Sequence, residues 1–376
     1  MDFSLSEAQT ELAGLARKIL AGSDEPWRDL AGAGVLAAGL PEALGGAGLG
    51  FLEQCSVLAE VGRAVSPVPY LASAVLAAGA IAEFGSADQQ QRWAVPAGDG
   101  SAVLTVALAE EDGGDPAAPT TRAASPSGAA SPSARAGQAG GHWLLSGVKT
   151  AVPTLEAADL VLVPATAPAA RADESDEVMV FLIQPSDSGV SVQRQALTDG
   201  APAGRLVLDG VTVSADRVLG GPGQGAQVAR WLTARATVGL CAAQAGVLQR
   251  ALELTAEYAR TREQFGRPIG SFQAVAQRLA DGYIDVEAVW LTMWQAAWQL
   301  SSGHADEDEV AAAVATAKFW AADAGHRVAH TAVHVHGGTG IDLSHPIHRY
   351  FTAAKHAEFT LGGATQQLVT LGDLLA

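Results

Sequence analysis

The sequence predicts an α+β multidomain fold with an all-α N-terminal domain, a middle antiparallel β domain and a C-terminal four-helix bundle. Apolar residues recur at helical spacing in about the first 100 residues, and short β-branched runs replace them between about 101 and 218. Long amphipathic stretches return from about residue 225 onward. Because helices and strands occupy separate blocks of the chain, segregated α and β domains are favoured over an alternating parallel-sheet fold.

The N-terminal block, residues 1–100, is expected to be entirely helical. Leu12, Leu15 and Ile19 repeat at the spacing that places residues on one helical face. Glycine and proline punctuate this block, beginning with the PEALGGAGLG segment at Pro41. We therefore expect several short helices separated by turns.

The middle block, residues 101–218, is expected to form the β domain. Its apolar runs are AVLTVAL, DLVLVPA, EVMVFLI, GVSVQ and GRLVLDGVTV, separated by Gly, Pro and Asp. Within this block, residues 115–141 are almost entirely Ala, Ser, Pro, Gly, Thr and Arg. Such a composition buries too little apolar surface to order itself, so we expect a flexible loop.

The C-terminal block, residues 219–376, is expected to be the helical bundle. One face of a single predicted helix carries apolar residues at helical spacing, namely Val310, Ala313, Val314, Ala317, Ala321, Ala324 and Val328. A face of this width buries against neighbouring helices, and the block is long enough for several of them.

Composition excludes several classes of protein. The chain has 376 residues, of which 48% are hydrophobic, and no apolar run approaches the roughly 18 residues that a membrane helix needs. The acidic, alternating N-terminus is unlike a signal peptide, so a cytoplasmic protein without membrane insertion is expected. A formal charge of −17 disfavours nucleic acid as a partner. Cys55 and Cys241 lie far apart in alanine-rich contexts and are expected to be buried free thiols.

Two motifs connect the chain to a known family. The first is the segment YARTREQFGRPIGSFQ, from Tyr258 to Gln273, expected where one helix ends at Gly266 and another begins after Pro268. The second is HVHGGTG, from His334 to Gly340, followed by a helix expected to start near Pro346. With the N-terminal PEALGGAGLG and AEVGR segments, the whole chain resembles the acyl-CoA dehydrogenases, whose fold has the three domains predicted above.

The resemblance implies that one set of residues serves FAD bound mainly by a neighbouring subunit. The set is Arg262, Phe265, Gln273, His334, Gly337 and Gly338. Arginine can fork two donors onto a pyrophosphate, the phenylalanine can lie against an adenine, and the glycines let backbone amides approach phosphate oxygens. The alternative interpretation is a surface arginine, a core phenylalanine and a helix-terminating glycine turn. The family's usual Gln is His334 here, which keeps a donor and an acceptor.

The family's catalytic base is missing at both positions where the resemblance places it. Most members carry a Glu in a C-terminal YEG(T/S) segment, which aligns with Gly362, and a minority carry it beside an Arg on an earlier helix, which aligns with Ala234. No catalytic residue is therefore assigned. Glu358, the nearest acid to the first position, is the candidate for a displaced base.

The flavin-facing segments depart from the family as well. The family's TEPxAGSD loop has Ala109 in place of Thr and Asp115 in place of Ser, and a carboxylate there would repel a pyrophosphate. The strand that usually reads GxKxWIT carries Ala151 and Pro153 in place of Trp and Thr. Proline also removes a backbone donor. The chain thus retains the half-site for a neighbour's FAD and has lost the half-site for its own.

This asymmetry predicts the non-catalytic subunit of a heteromeric enzyme that dehydrogenates an acyl-CoA substrate with a shared FAD. The resemblance is to the subunits of actinobacterial enzymes that act on steroid (cholesterol) side-chain CoA thioesters, which are α2β2 heterotetramers with a catalytic paralogue. Two alternatives stay open, a stand-alone dehydrogenase with an unorthodox base and a flavin-free scaffold protein. His326, His330 and His334 share one helical face, but without a carboxylate ligand in register no metal site is predicted.

Overall fold

A computed structural model describes residues 4–124, 141–168, 176–303 and 306–376. The chain divides into two compact units. One combines the residues up to Pro26 with Gly50–Val68 and Thr237–Ala376, and the other combines Trp27–Leu49 with Pro69–Ala236. Each unit is assembled from segments that are distant in sequence, so the division near residues 100 and 218 stays a prediction.

Helices occupy the N-terminal and C-terminal blocks, as predicted. In chain order the described helices are α1 Glu7–Gly22, α2 Pro26–Gly32, α3 Phe51–Ala64, α4 Gly79–Phe84, α5 Ala87–Gln89, α6 Val95–Gly98, α7 Gly225–Thr261, α8 Gln273–Ser302, α9 Glu307–His336, α10 Ile347–Phe359 and α11 Ala364–Leu375. Two π-helical segments, Tyr70–Ala78 and Gln90–Ala94, extend the N-terminal block. The helix predicted near Pro346 is confirmed, since α10 begins at the next residue.

The middle block forms a sheet. Its described strands are β1 Leu104–Val106, β2 Arg122–Ala124, β3 His142–Pro153, β4 Leu160–Ala167, β5 Glu177–Ile183, β6 Val190–Ala196, β7 Pro202–Ser214 and β8 Val218–Leu219. They lie in the order β6-β7-β3-β2-β4-β5-β8, with β1 beside β4. The pairs are antiparallel, as predicted, except that β1 and β2 run parallel to β4.

The segment predicted as a loop, residues 115–141, is only partly described. Residues 125–140 lie outside the described residues. The loop prediction is wrong for β2, which pairs with Ser146, Leu145 and Leu144 of β3. Its central residue, Ala123, is buried in the sheet core, so even a small side chain supplies enough packing when two strands flank it.

One cluster of the core of the β-containing unit lies on one face of the sheet. Trp143 of β3 meets Phe181 of β5 edge to face, with ring centroids 6.0 Å apart. In β7, Leu206 and Leu208 are buried on this face. After two exposed residues, Val211 and Val213 are buried again. The interruption coincides with a register shift between Leu145 and Gly147 in the pairing of β3 with β7. A bulge of this kind bends a strand without exposing its apolar face.

The helical unit packs around α8 and α9. The inner face of α8 is buried, and Asp285 on this face pairs with Arg327 of α9 through two hydrogen bonds of 2.6 and 2.9 Å. Both cysteines are buried free thiols, as predicted, and burial raises the pKa of the Cys241 thiol to about 12. In the same unit α3 and α7 come so close that a Cβ on Gly62 would lie 1.9 Å from the Ala243 carbonyl oxygen. Glycine is required at this crossing.

Candidate functional site

The first motif ends α7 and forms a small hairpin instead of a longer helix. Helix α7 ends at Thr261, and the strands β9 Glu263–Gln264 and β10 Arg267–Pro268 pair across Phe265 and Gly266. The prediction that the helix continues to Gly266 is therefore wrong. Both turn residues have positive φ, 53° at Phe265 and 74° at Gly266, because a two-residue hairpin turn requires left-handed backbone.

Phe265 is the most exposed large apolar side chain of the described residues, at 92%. The alternative interpretation of a core phenylalanine is therefore wrong. Its ring meets Phe272 edge to face at 6.1 Å, and Arg267 lies 4.2 Å from the centre of the Phe272 ring. An exposed aromatic ring held on a left-handed residue is a costly arrangement for a free surface, which favours a role in contacting a ligand or another chain.

Arg262 lies at the base of this hairpin with an exposed side chain. Its backbone N–H donates to the Tyr258 carbonyl (2.9 Å), and its carbonyl accepts from the Ile269 N–H (2.8 Å). Within the described part of the chain, the guanidinium makes neither a hydrogen bond nor an ion pair. The backbone is thus fixed while all five donors of the side chain stay available to an external anion.

The second motif ends α9 beside the end of α7. His336, the last residue of α9, is 3% exposed and stacks on Tyr258 with ring centroids 4.4 Å apart. Its Nδ1 lies 2.7 Å from the Ala332 carbonyl oxygen, and burial lowers the pKa of its imidazole. The stack brings the glycine turn after His336 next to the segment that carries Arg262. His336 was not singled out from the sequence, although an aromatic residue before a glycine pair at a helix end is a recognisable signal.

The glycine turn itself is open to a ligand. Gly337 has φ 61°, and a Cβ built on Gly337 or Gly338 would meet no atom within 4 Å. His334 is exposed one turn earlier on α9, and Gln273 is exposed at the first position of α8, directly after Phe272. The predicted half-site residues are all at the surface, and the Tyr258 stack and the Phe265 contact join the elements that carry them.

The first base position lies in the turn between α10 and α11. Leu361 and Gly362 both have positive φ, 58° and 92°, and Gly362 has a hydrogen bond from its N–H to the Phe359 carbonyl. Between Glu358 and Asp373 the sequence contains no Asp or Glu. Shifting the alignment by one residue would therefore not place a carboxylate at this position.

Glu358, the candidate displaced base, is occupied by other contacts. Its carboxylate accepts a hydrogen bond of 2.5 Å from Lys355 Nζ and lies 3.2 Å from His326 Nδ1. Its side chain is 13% exposed. The buried Lys318 also donates to the carbonyls of Ala357 and Glu358, at 3.0 and 3.1 Å, which fixes the end of α10. Both oxygens of the Glu358 carboxylate are thus in contact with groups of the same chain and are not free to reach a substrate.

The second base position is on α7. The side chain of Arg235, next to Ala234, lies over the Trp231 ring at 4.1 Å from its centre. From Gly225 to Leu252 the helix contains no Asp or Glu. Its first carboxylate, Glu253, is bound to Arg63 at 2.6 Å and to Arg250 at 3.0 Å. This helix therefore offers no unpaired carboxylate near Ala234.

The predicted flavin-facing strand has satisfied its own backbone groups. Ala151 of β3 has φ 49°, and its N–H donates to Gln195 Oε1 at 2.7 Å. The Gln195 amide also exchanges hydrogen bonds with Thr150 Oγ1 at 2.9 and 3.2 Å. Pro153 has no N–H to offer, and its carbonyl accepts from Thr105 Oγ1 at 2.7 Å. The donors that an external planar ligand would need on this strand are used within the chain or absent.

The loop that contains Ala109 and Asp115 is also held by hydrogen bonds within the chain. The Ala109 carbonyl accepts from the Thr150 N–H at 3.0 Å, and Asp115 Oδ1 accepts from the Ala117 N–H at 2.8 Å. Asp115 thereby closes a local turn and keeps a negative charge at the surface. This loop does not offer the hydroxyl donors that an anionic cofactor requires.

A buried ion pair beneath this loop was missed from the sequence. Lys149 is fully buried, and its Nζ lies 2.7 Å from Glu110 Oε1. Burial raises the pKa of the Glu110 carboxyl, but hydrogen bonds from Lys149, Thr121 and Thr120 outweigh it and lower the pKa to about 2. The signal was the position of Lys149, which is four residues after the inward-facing Leu145 and shares its face of β3.

Of the three histidines that share one face of α9, His326 and His330 contact each other. The rings of His326 and His330 are 4.4 Å apart, and the His330 ring meets Phe351 edge to face. In the described ranges no group of three or more His, Cys, Asp or Glu side chains is arranged to hold a metal ion. In the same ranges no helix is both long and apolar enough to cross a membrane.

Comparison with known proteins decides the family. The model of the acyl-CoA dehydrogenase N-terminal domain matches residues 6–101, and that of the C-terminal domain matches residues 223–372. Acyl-CoA dehydrogenase FadE27 of Mycobacterium tuberculosis is 46% identical, covering 100% of this chain and 99% of the relative. The chain belongs to the acyl-CoA dehydrogenase family. The mitochondrial short-chain specific acyl-CoA dehydrogenase of Homo sapiens is 29% identical over 93% of this chain and 82% of that protein.

Solved structures of the family show the same fold. A chain of the ChsE4–ChsE5 complex from Mycobacterium tuberculosis is 47% identical with a TM-score of 0.86, covering 100% of this chain and 99% of that one. A chain of the Tcur3481–Tcur3483 steroid ACAD variant is 41% identical with a TM-score of 0.85, covering 99% and 98%. The acyl-CoA dehydrogenase fold predicted from the motifs is confirmed.

Acyl-CoA dehydrogenases generally use FAD, and the two candidate regions differ in how they suit it. The surface formed by Arg262, Phe265 and the Gly337–Gly338 turn offers free guanidinium donors, an exposed ring and open backbone, which fit a pyrophosphate and an adenine. The region of Ala151 and Pro153 fits a flavin ring poorly, because its donors are bound to Gln195 or missing.

Proposed function

We propose that this chain is the non-catalytic subunit of an FAD-dependent acyl-CoA dehydrogenase. In this proposal it completes the FAD site of a catalytic paralogue, most simply in an α2β2 heterotetramer, and carries no base of its own. The observation that carries the proposal is that neither base position has a carboxylate, while the nearest one, Glu358, is paired with Lys355.

The chemistry explains why one missing side chain is decisive. In α,β-dehydrogenation a base removes a proton from the α carbon, a hydride leaves the β carbon, and a C=C double bond forms. FAD, when bound, supplies the acceptor for that hydride. A general base must lie within hydrogen-bond reach of its proton, and Leu361, Gly362 and Ala234 have no group that can accept one. The chain can position a cofactor without performing the reaction.

The retained half-site supports a role toward a partner. Arg262, Phe265 and Gly337 are exposed, and the first two belong to a hairpin whose strained turn is costly on a free surface. A chain that no longer contacted FAD would gain by relaxing this turn. We propose that Arg262 binds the pyrophosphate, that Phe265 lies against the adenine, and that His334 and Gln273 complete the polar rim.

The proposed substrate is the CoA thioester of a steroid side chain. Support comes from two similar structures: the ChsE4–ChsE5 complex pairs two different chains, and the Tcur3481–Tcur3483 protein is described as a steroid ACAD. The sheet and helices of this chain specify no sterol by themselves. The substrate class therefore depends on these relatives.

The test is to purify the chain alone and together with a catalytic paralogue encoded in the same genome. We expect the chain alone to be colourless and inactive, and the pair to hold one FAD per two chains and to reduce an artificial electron acceptor with a steroid acyl-CoA. A stoichiometric flavin spectrum with turnover from the chain alone would instead establish a stand-alone dehydrogenase. A pair that never retains flavin would support the scaffold alternative.

A further inference from the structure

A bulge in β3 turns one backbone N–H out of the sheet ladder. The register of β3 against β7 shifts between Lys149 and Val152, so that Thr150 and Ala151 stand opposite a single residue of β7. Ala151 has φ 49°, in the left-handed region. An extra residue in one strand leaves a backbone group without a partner in the ladder. The N–H of Ala151 therefore needs an acceptor from outside the pairing of β3 with β7.

The acceptor is the side chain of Gln195, which belongs to β6. Gln195 Oε1 accepts from the Ala151 N–H at 2.7 Å, and the carboxamide also exchanges hydrogen bonds with Thr150 Oγ1. Because β7 lies between β6 and β3, this side chain crosses a whole strand. Its path runs over Ala203, which pairs with Gln195 on one side and with Pro153 on the other. Paired residues project from the same face, so a small side chain at position 203 keeps the path open.

This bridge lies on the face of the sheet opposite the core cluster. Leu206 of β7 belongs to that cluster, and the preceding Arg205 projects from the other face. Gln193 of β6 pairs with Arg205 and accepts a hydrogen bond from its guanidinium at 3.3 Å. Gln195 comes two residues after Gln193 and shares its face. Gln195 and Ala151 are half-buried, so the bridge lies near the surface of the sheet and outside its core.

The carboxamide of Gln195 has the same hydrogen-bonding pattern as one edge of a flavin ring. The pyrimidine part of a flavin presents a carbonyl oxygen beside an N–H, and a glutamine side chain presents a carbonyl oxygen beside an NH₂. Either group can accept from the Ala151 N–H while it donates to Thr150 Oγ1. The strand that carries these two residues is the predicted flavin-facing strand. Gln195 therefore occupies, with a group of the same type, the donor that a flavin would use.

We propose that Gln195 is an internal substitute for the flavin and keeps this chain's own flavin position closed. This inference rests on the proposed function, in which only the partner's flavin position is used, and it names a residue that enforces the asymmetry. A flavin has to displace the carboxamide before it reaches the Ala151 N–H. The two hydrogen bonds lost in that exchange lower the affinity for a flavin ring by roughly 10- to 100-fold.

The alternative is that Gln195 only satisfies the bulge. A half-buried N–H can donate to water, and fixing a glutamine side chain costs conformational entropy. The bulge by itself therefore does not require a side chain that crosses a strand. The second hydrogen bond, from Gln195 Nε2 to Thr150 Oγ1 at 2.9 Å, also goes beyond what Ala151 needs. It closes the Thr150 hydroxyl to a ligand as well.

The test measures the binding of riboflavin to the full chain without a partner. Riboflavin carries the flavin ring but neither the pyrophosphate nor the adenine that the half-site around Arg262 would bind. Gln195→Ala should raise the affinity at least about 10-fold, measured by fluorescence anisotropy. Gln195→Asn keeps the carboxamide but is one methylene shorter and does not span β7. It should raise the affinity too, and it replaces Gln195→Ala if that variant does not fold. The matched control is Gln193→Ala, on the same face of β6, which contacts Arg205 and should leave the affinity unchanged.

Hydrogen exchange of the Ala151 amide, measured by NMR, separates the two interpretations. In Gln195→Ala the exchange should be fast, and saturation with riboflavin should slow it again. A purely structural role of Gln195 predicts fast exchange with and without riboflavin. Equal riboflavin affinity of wild type, Gln195→Ala and Gln195→Asn, or an equal gain in Gln193→Ala, would overturn the inference. The proposed function would survive those results as long as the wild-type pair holds one FAD per two chains. Stoichiometric FAD with turnover in the wild-type chain alone would refute the proposed function itself.

Discussion

Replacing Arg262 by alanine should lower the affinity of the assembled complex for FAD without affecting the fold. The guanidinium is exposed and has no hydrogen bond or ion pair among the described residues, so its removal should change the free energy of unfolding by less than about 0.5 kcal/mol. Against a pyrophosphate the same group makes charge-assisted hydrogen bonds. Their loss costs about 1.5 to 3 kcal/mol, which is roughly a 10- to 150-fold rise in the dissociation constant.

The chain offers two matched variants. Arg262→Lys keeps the charge but loses the forked geometry, so it should weaken FAD binding by an intermediate amount. Arg260→Ala removes an exposed arginine of α7 two residues earlier, before the hairpin that carries Phe265, and should leave affinity unchanged. Flavin fluorescence titration of the deflavinated complex, at two salt concentrations, measures all three. Equal affinity of Arg262→Ala and wild type would place this arginine outside the cofactor site.

Two further predictions concern the two base positions that lack a carboxylate and the buried ion pair of Glu110 with Lys149. Ala234→Glu, Leu361→Glu or Gly362→Glu should not restore turnover in a complex whose partner has lost its own base, because a carboxylate without an aligned flavin has no oriented substrate to act on. Leu361→Glu should cause less backbone strain than Gly362→Glu, because Leu361 already carries a side chain at φ 58°. Bleaching of the flavin by acyl-CoA in any of these variants would contradict the prediction. Glu110→Gln should destabilise the chain by about 3 to 5 kcal/mol at pH 7, since it leaves Lys149 buried without a counter-charge. The folded-state pKa of Glu110, about 2, lies below that of an unfolded Glu, so wild-type stability should fall as the pH drops from about 4.3 toward 2, and urea titrations should show a smaller fall for Glu110→Gln.

Much of the fold was predictable because its signals are local. Helical periodicity and β-branched runs report secondary structure within a few residues, and they located the long helices and the main strands. The strand Arg122–Ala124 was not predictable, because three small or polar residues carry no pattern and their pairing depends on β3 and β4. The end of α7 was placed too late for a similar reason. The left-handed turn at Phe265 violates the usual preference for glycine or asparagine.

The candidate site was predictable where its signals are local and not where they depend on contacts between distant segments. Motif spacing identified Arg262, Phe265 and the glycine turn, and the structure brings their elements together through the stack of Tyr258 on His336. Contacts that join distant segments were invisible. Nothing in the sequence states that Gln195 would take up the Ala151 N–H, since this depends on the register of β6, β7 and β3. The sequence shows which flavin-facing side chains of the family are missing. The structure shows which groups of the chain now make the hydrogen bonds there, as Gln195 does with Ala151.

The exposed side of α8, which carries Tyr283, Ile284 and Leu291, has a consequence for how the protein is produced in the cell. Newly made chains emerge separately, and a chain that has not yet joined the proposed complex presents Tyr283, Ile284 and Leu291 to every other protein around it. Apolar patches of this size promote aggregation and attract chaperones and proteases. Balanced synthesis of the two subunits from neighbouring genes would shorten that exposure. The lifetime of the orphan chain, measured by pulse labelling with and without its partner, would then depend on this face more than on the thermodynamic stability of the fold.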